Sequence, residues 1–260
     1  MPLIEILMLT AGLTIVLFYW VWVYAVKIEN FSIIDAAWAA CFTVHGLIFY
    51  NFAWGYRPRR LLFLTIIALW SLRLTYFLAK RIKGHHPQED TRYRKLRLEY
   101  GSNYKKRFLY FFIFQAVSVS LLTLPMVFAF TNATESLGAF EWAGVACFLI
   151  SLIGETLADS QMSRFKRQAA NAGKVCNVGL WRYSRHPNYF FEACIWFSFY
   201  VFMLGTSGLA WAIYAPLTIV ILLVKVTGVP PSEAQSLASR GDAYREYQKK
   251  TSAFVPWFPR

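Results

Sequence analysis

Charge is scarce in this chain. Asp, Glu, Lys and Arg make up only 16% of its 260 residues, against 57% hydrophobic and 18% aromatic, and the mean hydropathy is +0.38. Soluble domains carry about a quarter charged residues, so the composition excludes a soluble globule and indicates a multi-spanning membrane protein. Cysteine is sparse too. Cys41, Cys147, Cys176 and Cys194 form no C-x-x-C pair and no metal-ligand spacing, so no metal is expected. Glycine never recurs as G-x-G, and there is no P-loop, no G-x-S-x-G and no H-E-x-x-H. A Rossmann dinucleotide fold is thereby excluded, and any nucleotide would have to lie within a helical bundle.

Long apolar runs are what the chain has instead. Seven stretches approach the roughly 20 residues needed to cross a bilayer, at 3–26, 31–52, 59–79, 108–130, 138–158, 187–205 and 207–226, with 227–260 as a tail. The expectation is an all-α, seven-transmembrane bundle in one domain. The first run has no basic leader and is too long for a signal core, so it reads as a retained span. Although the net charge is +13, the bases lie in connections between apolar runs, which argues against nucleic acid. Ten fall within 80–107, six within 159–186 and six within 225–260, with none in 131–137. By the positive-inside rule these three segments are cytoplasmic and the N-terminus is outside, the setting being a bacterial inner membrane. Arg57, Arg59 and Arg60 of "RPRR" fall on the opposite side.

Ionisable groups within spans are costly and mark function by default. Here they are Asp35, His45, Arg73, Glu155, Asp159 and Glu192. A helix–helix ion pair, such as Asp35 with Arg73, is the ordinary alternative. The basic segments (Arg92, Arg94, Lys95 and Arg97, then Arg164, Lys166, Arg167, Lys174, Arg182 and Arg185) suit a phosphorylated ligand, because guanidinium forks match phosphate geometry. Anionic lipid heads account for part of them equally well. They do not account for Asn188, which can donate and accept at once, or for Glu192.

Both of those residues lie in "GLWRYSRHPNYFFE" at 179–192. Pro187 suits a helix's first turn, which puts the residues before it at an N-terminus that favours anions. Asn188 and Glu192 are four apart and share one face.

This stretch resembles the C-terminal signature of the steroid 5α-reductase-like superfamily. "LWSLRLTYFLAKR" (69–81), "EDTRYRKLRLEYG" (89–101) and "YREYQKKTSAFVPWFP" (244–259) are similar to its bacterial reductase-like branch. The resemblance implies NADPH bound in the cytoplasmic half of a helix bundle, with Asn188 and Glu192 at the nicotinamide carboxamide. It also implies Asp159 facing the cofactor, Lys166 and Lys174 among the bases near the phosphates, and Tyr183, Arg185 and His186 in the same cofactor-facing stretch; Arg92, by the charge of its segment alone, is a further cofactor-binding candidate. The family's closing Arg, His and Tyr have no clean counterpart, and Glu233 and Tyr244 are the substitutes. For the family's Glu on the second helix and Tyr on the third, which polarise the substrate carbonyl, the spans offer Asp35 and Tyr76; neither falls on the family position, since anchoring on Arg73 puts Trp70 at the Tyr, and an interfacial aromatic is the alternative for Tyr76.

The activity so implied is hydride transfer to the C=C bond of a lipophilic enone, steroid- or isoprenoid-like, entering from the membrane. Related methyltransferases, which use S-adenosylmethionine, more often carry Ser or Met at the Asn position. They and a non-catalytic sterol- or lipid-binding protein are the alternatives.

Overall fold

The computed structural model describes residues 1–259, and among them helices and turns form the whole structure, with no strand. Contacts divide the chain into two compact units, Met1–Leu137 and Gly138 to the C-terminus.

The first unit holds α1 (Leu3–Lys27), α2 (Ile33–Phe52), α3 (Arg57–His85), α4 (Thr91–Tyr100), α5 (Tyr104–Thr123) and α6 (Met126–Thr131). α2 packs against α1, α3 and α5. Since apolar side chains gain little from meeting each other rather than lipid, close approach and polar contacts must join these helices. His45 of α2 supplies one, with Nε2 2.5 Å from Thr14 Oγ1 of α1 and Nδ1 2.7 Å from Thr123 Oγ1 of α5. Ser71 of α3 supplies another, donating to the Ala39 carbonyl at 2.6 Å and accepting from Thr43 at 2.8 Å. The run expected as one span over 108–130 is two helices. Pro125 cannot donate to the carbonyl ladder, and α6 begins after it.

The bases of "RPRR" prove to be loop fasteners. Buried Arg59 donates to the carbonyls of Asn132, Thr134 and Ser136. Arg60 donates to those of Tyr50 and Ala53 at the end of α2, at 2.6 and 2.7 Å. Their charge serves local carbonyls, which is why they stand apart from the charge bias of the other connections.

The second unit holds α7 (Ala139–Arg167), α8 (Pro187–Met203), α9 (Tyr214–Ile221), a π-helical turn over Leu222–Val226, α10 (Val229–Arg240) and α11 (Asp242–Lys250). α7 and α8 form its main contact. Two glycines of α7 make that possible. A Cβ on Gly144 would stand 2.7 Å from the Phe202 backbone nitrogen, and one on Gly154 would collide with the Phe191 ring. The stretch read as a tail, 227–260, is mostly helical, because Pro230 and Pro231 open α10 where a missing N–H costs nothing.

Six helical stretches are long and apolar enough to cross a membrane: Leu3–Lys27, Ile33–Phe52, Arg57–His85, Thr91–Thr123, Ala139–Arg167 and Leu209–Arg240. The protein is thus an integral membrane protein. α8 has 17 residues, about 26 Å of rise against a hydrocarbon core of about 30 Å. The span expected over 187–205 is therefore not among the long ones, while that expected over 207–226 falls within Leu209–Arg240.

Gly144→Val is expected to lower stability by about 2 kcal/mol or more, because the helix backbones cannot part without losing their packing. Gly12→Ala in α1, where a new Cβ meets nothing within 4 Å, is expected to be neutral or to stabilise by up to about 1 kcal/mol. Thermal unfolding of the two variants in one detergent checks both.

Candidate functional site

Each unit has its own polar cluster. In the first, Asp35 Oδ2 accepts from Arg92 at 2.8 Å and lies 3.6 Å from Arg81, while Oδ1 accepts from the Tyr93 hydroxyl. Asp90 caps α4 through the Arg92 backbone N–H at 3.0 Å, accepts from the Arg92 side chain at 3.1 Å, and pairs with Arg81 at 3.3 Å. Its own N–H donates to Ser32 Oγ at 2.9 Å. Next to it, Glu89 pairs with Arg97 at 3.1 Å and accepts the Phe31 N–H at 2.7 Å. These bonds fasten α4 to the entrance of α2. Asp35 is paired with Arg92 and Arg81, not with Arg73 as the ordinary reading had it.

Both Asp35 oxygens are engaged in this way. Tyr76 stands 67% exposed, with the Lys80 ammonium 5.7 Å from its ring centroid. No hydrogen bond joins Asp35 to Tyr76, and Arg92 lies in the Asp35 cluster. Arg81 and Tyr93 were missed as Asp35's partners, since nothing in a spacing of 46 or 58 residues signals them.

The second cluster is built on the entrance to α8. Pro187 opens the helix and His186 precedes it, outside helical geometry. Arg185 makes three bonds from an almost fully buried side chain. Its Nε donates to Glu233 at 2.6 Å, and Nη1 donates to the carbonyls of Gln248 and Thr251 at 2.9 and 2.7 Å. Glu233 also accepts from Gln248 at 2.9 Å and lies 3.4 Å from His186 Nε2. The closing segment runs alongside. Arg185 N–H donates to the Ser252 carbonyl at 2.8 Å, Ser184 Oγ to that of Phe254 at 2.8 Å, and Trp257 N–H to that of Tyr183 at 2.9 Å. Buried Tyr247 donates to the Trp181 carbonyl, and burial pushes its phenol above the ordinary range.

Within α8, the Asn188 side-chain oxygen is buried and has no hydrogen-bond partner among the described residues. One turn on, Glu192 is buried and accepts from Trp196 Nε1 at 3.1 Å. Tyr189 stacks on His186, with ring centroids 5.4 Å apart, and its hydroxyl meets Ser232 Oγ at 3.1 Å.

Asp159 is half-buried near the end of α7, and Lys166 is exposed in its last turn. Lys174 borders a cavity of about 670 Å³ with Arg182, Glu246, Tyr247, Lys250 and Thr251. Tyr244 is buried on α11, its phenol raised by that burial and by the Glu233 charge. Thus Arg185, His186 and Glu233 are brought together by direct contact, while Lys174 lies on the cavity wall. Gln248 and Lys250 were missed because the helix that carries them has too little hydropathy to stand out. Among the described residues no group of three or more His, Cys, Asp or Glu is placed to hold a metal ion.

Arg185→Ala is expected to destabilise by about 3 kcal/mol, since it strands Glu233 and two carbonyls. Arg185→Lys should recover less than half, because one ammonium cannot serve all three acceptors as the guanidinium fork does. Chemical unfolding in micelles measures this. In the first unit, burial would raise the Asp90 carboxyl, but the Arg92 hydrogen bond and the charges of Arg92 and Arg81 hold it below its ordinary 3.8. A lowered folded pKa contributes stability above the unfolded value, and that stability is lost as pH falls through the folded one. Wild type should therefore exceed Asp90→Asn by a constant margin above about pH 5, a margin that shrinks below about pH 4. Unfolding midpoints against pH read it directly.

No solved structure matches the chain. It is 31% identical over 262 aligned residues to an uncharacterized protein of Schizosaccharomyces pombe, covering 90% of this chain and 75% of that one. The model of a family described as a protein of unknown function, DUF1295, matches residues 21–251. With a match over most of its length, the chain belongs to the DUF1295 family.

Proposed function

We propose that the chain is a membrane-embedded, NADPH-dependent reductase that transfers a hydride to the C=C bond of a lipophilic enone. The observation that carries this reading is the Asn188 oxygen, buried and without a partner, one helical turn from the buried Glu192 carboxyl. A buried acceptor left unmade costs about 1–3 kcal/mol, so it calls for a donor from outside the chain. The N–H₂ of a nicotinamide carboxamide is such a donor. The bases Lys174, Arg182 and Lys250 around one cavity of the same unit have the charge to meet phosphates.

When bound, the dihydronicotinamide would supply a hydride to the β-carbon of the enone, and the resulting enolate would take a solvent-derived proton at its α-carbon. The chain's own residues have other tasks. Asn188 and Glu192 orient the carboxamide and so fix which ring face is presented. Arg185, through Glu233 and the closing segment, keeps the start of α8 in place. The basic connections lie on the cytoplasmic side, where the cofactor is supplied, and the substrate reaches the site through the lipid.

Purified protein in detergent, titrated with NADPH, NADH and S-adenosylmethionine, tests this. Stabilisation by NADPH is expected, weakened about tenfold in affinity by Asn188→Ala and likewise reduced in Glu192→Gln. Stabilisation by S-adenosylmethionine alone would replace the reading with a methyl transfer. Response to none of the three would leave lipid binding without turnover as the function.

A further inference from the structure

The bases of the first unit sort into two sets. Arg81, Arg92 and Arg97 are spent on Asp35, Asp90 and Glu89. Arg94, Lys95, Lys105, Lys106 and Arg107 are exposed and pair with no acid among the described residues. Between 91 and 110 the one carboxylate is Glu99. Three of the unpaired bases occupy the first turn of α5, the end at which the helix dipole disfavours cations. Their position therefore does nothing for the helix itself.

What lies below them on α5 is equally specific. Tyr110, Phe114, Val117 and Leu121 are 60%, 66%, 42% and 55% exposed. With Arg107 they recur at intervals of three, four, three and four residues, which is one helix face. The face runs 14 residues from its base, about 21 Å, enough to cover one leaflet of a core about 30 Å thick. At its head, Tyr100, Arg107, Tyr110 and Phe111 line a cavity of about 480 Å³. The Arg107 guanidinium there lies 5.5 Å from the Tyr100 ring centroid, and the Lys106 ammonium 6.0 Å from that of Tyr110. A guanidinium and an ammonium beside aromatic rings thus stand at the head of an apolar stripe long enough for one leaflet.

We propose that this face is a binding site for one anionic phospholipid. Arg107 and Lys106 take the headgroup phosphate, the rings of Tyr100 and Tyr110 flank it, and an acyl chain lies along Phe114, Val117 and Leu121. The charge is complementary to an anionic headgroup. The aromatic walls suit the interfacial depth at which Tyr is enriched, and the stripe supplies what a free phosphate has no use for. The site is independent of the proposed reductase chemistry.

The test is lipid binding by delipidated protein in a neutral detergent, read by native mass spectrometry and thermal shift. Phosphatidylglycerol is expected to bind and stabilise, while phosphatidylcholine and glycerol 3-phosphate are not. Lys106→Gln with Arg107→Gln should weaken phosphatidylglycerol by roughly fivefold for each base removed. Arg245→Gln with Lys249→Gln, two exposed bases on α11, should leave it unchanged. Phe114→Ser, which spares every charge, should weaken it too, separating a seated lipid from diffuse attraction. Equal binding of phosphatidylcholine, equal stabilisation by glycerol 3-phosphate, or wild-type affinity in the double Lys106/Arg107 variant would each overturn the proposal.

Discussion

One guanidinium holds the second unit's polar architecture in place. Arg185 satisfies a carboxylate and two backbone carbonyls from a side chain almost out of water, and each of those partners lies 48 to 66 residues away. Through it the residues before α8, the first half of α10 and the end of α11 become one piece. A buried guanidinium is tolerable only where its donors meet matched acceptors, which makes the assembly close to all-or-none. With the backbone before α8 so pinned, Asn188 can keep a buried oxygen unbonded. A floppy entrance would turn that amide towards water.

The first unit solves an analogous problem by a different route. There a carboxylate at the start of α2, Asp35, gathers Arg92, Arg81 and Tyr93, with Asp90 and Glu89 completing the network around α4. Asp35 in the first unit and Arg185 in the second both sit at helix entrances, where they join connections to spans. The His45, Ser71 and Thr43 contacts serve deeper in the bundle. Charge left over from these pairs, such as Lys106 and Arg107, is then available to the lipid.

Much of the fold was legible because hydropathy reports what must sit in hydrocarbon. It reports less well where a helix ends. α3 continues to His85 and α7 to Arg167, since a helix persists into water with Lys and Arg in its last turns, while hydropathy drops as soon as the lipid does. The same blindness hid α10 and α11. Pro125 within an apolar run was the available sign that α5 and α6 are separate. On α8, the one-turn spacing of Asn188 and Glu192 was legible, since it follows from helix geometry once Pro187 marks the start. The clasp was not. Glu233 was named as a residue, but its partnership with Arg185 depends on how α10 and α11 fold back, and no local pattern encodes a 48-residue separation. Asp35 was identified as a costly charge and given the wrong partner for the same reason.

The most direct measurement compares binding of NADPH with that of its analogue in which the nicotinamide carboxamide is a carboxylate. The analogue keeps every phosphate and sugar but offers the Asn188 oxygen no N–H. The account predicts that wild type prefers NADPH by at least about tenfold, and that Asn188→Ala loses most of this preference while remaining folded. Equal affinity for the two in wild type would contradict it, because the buried oxygen on α8 would then not be reading an amide.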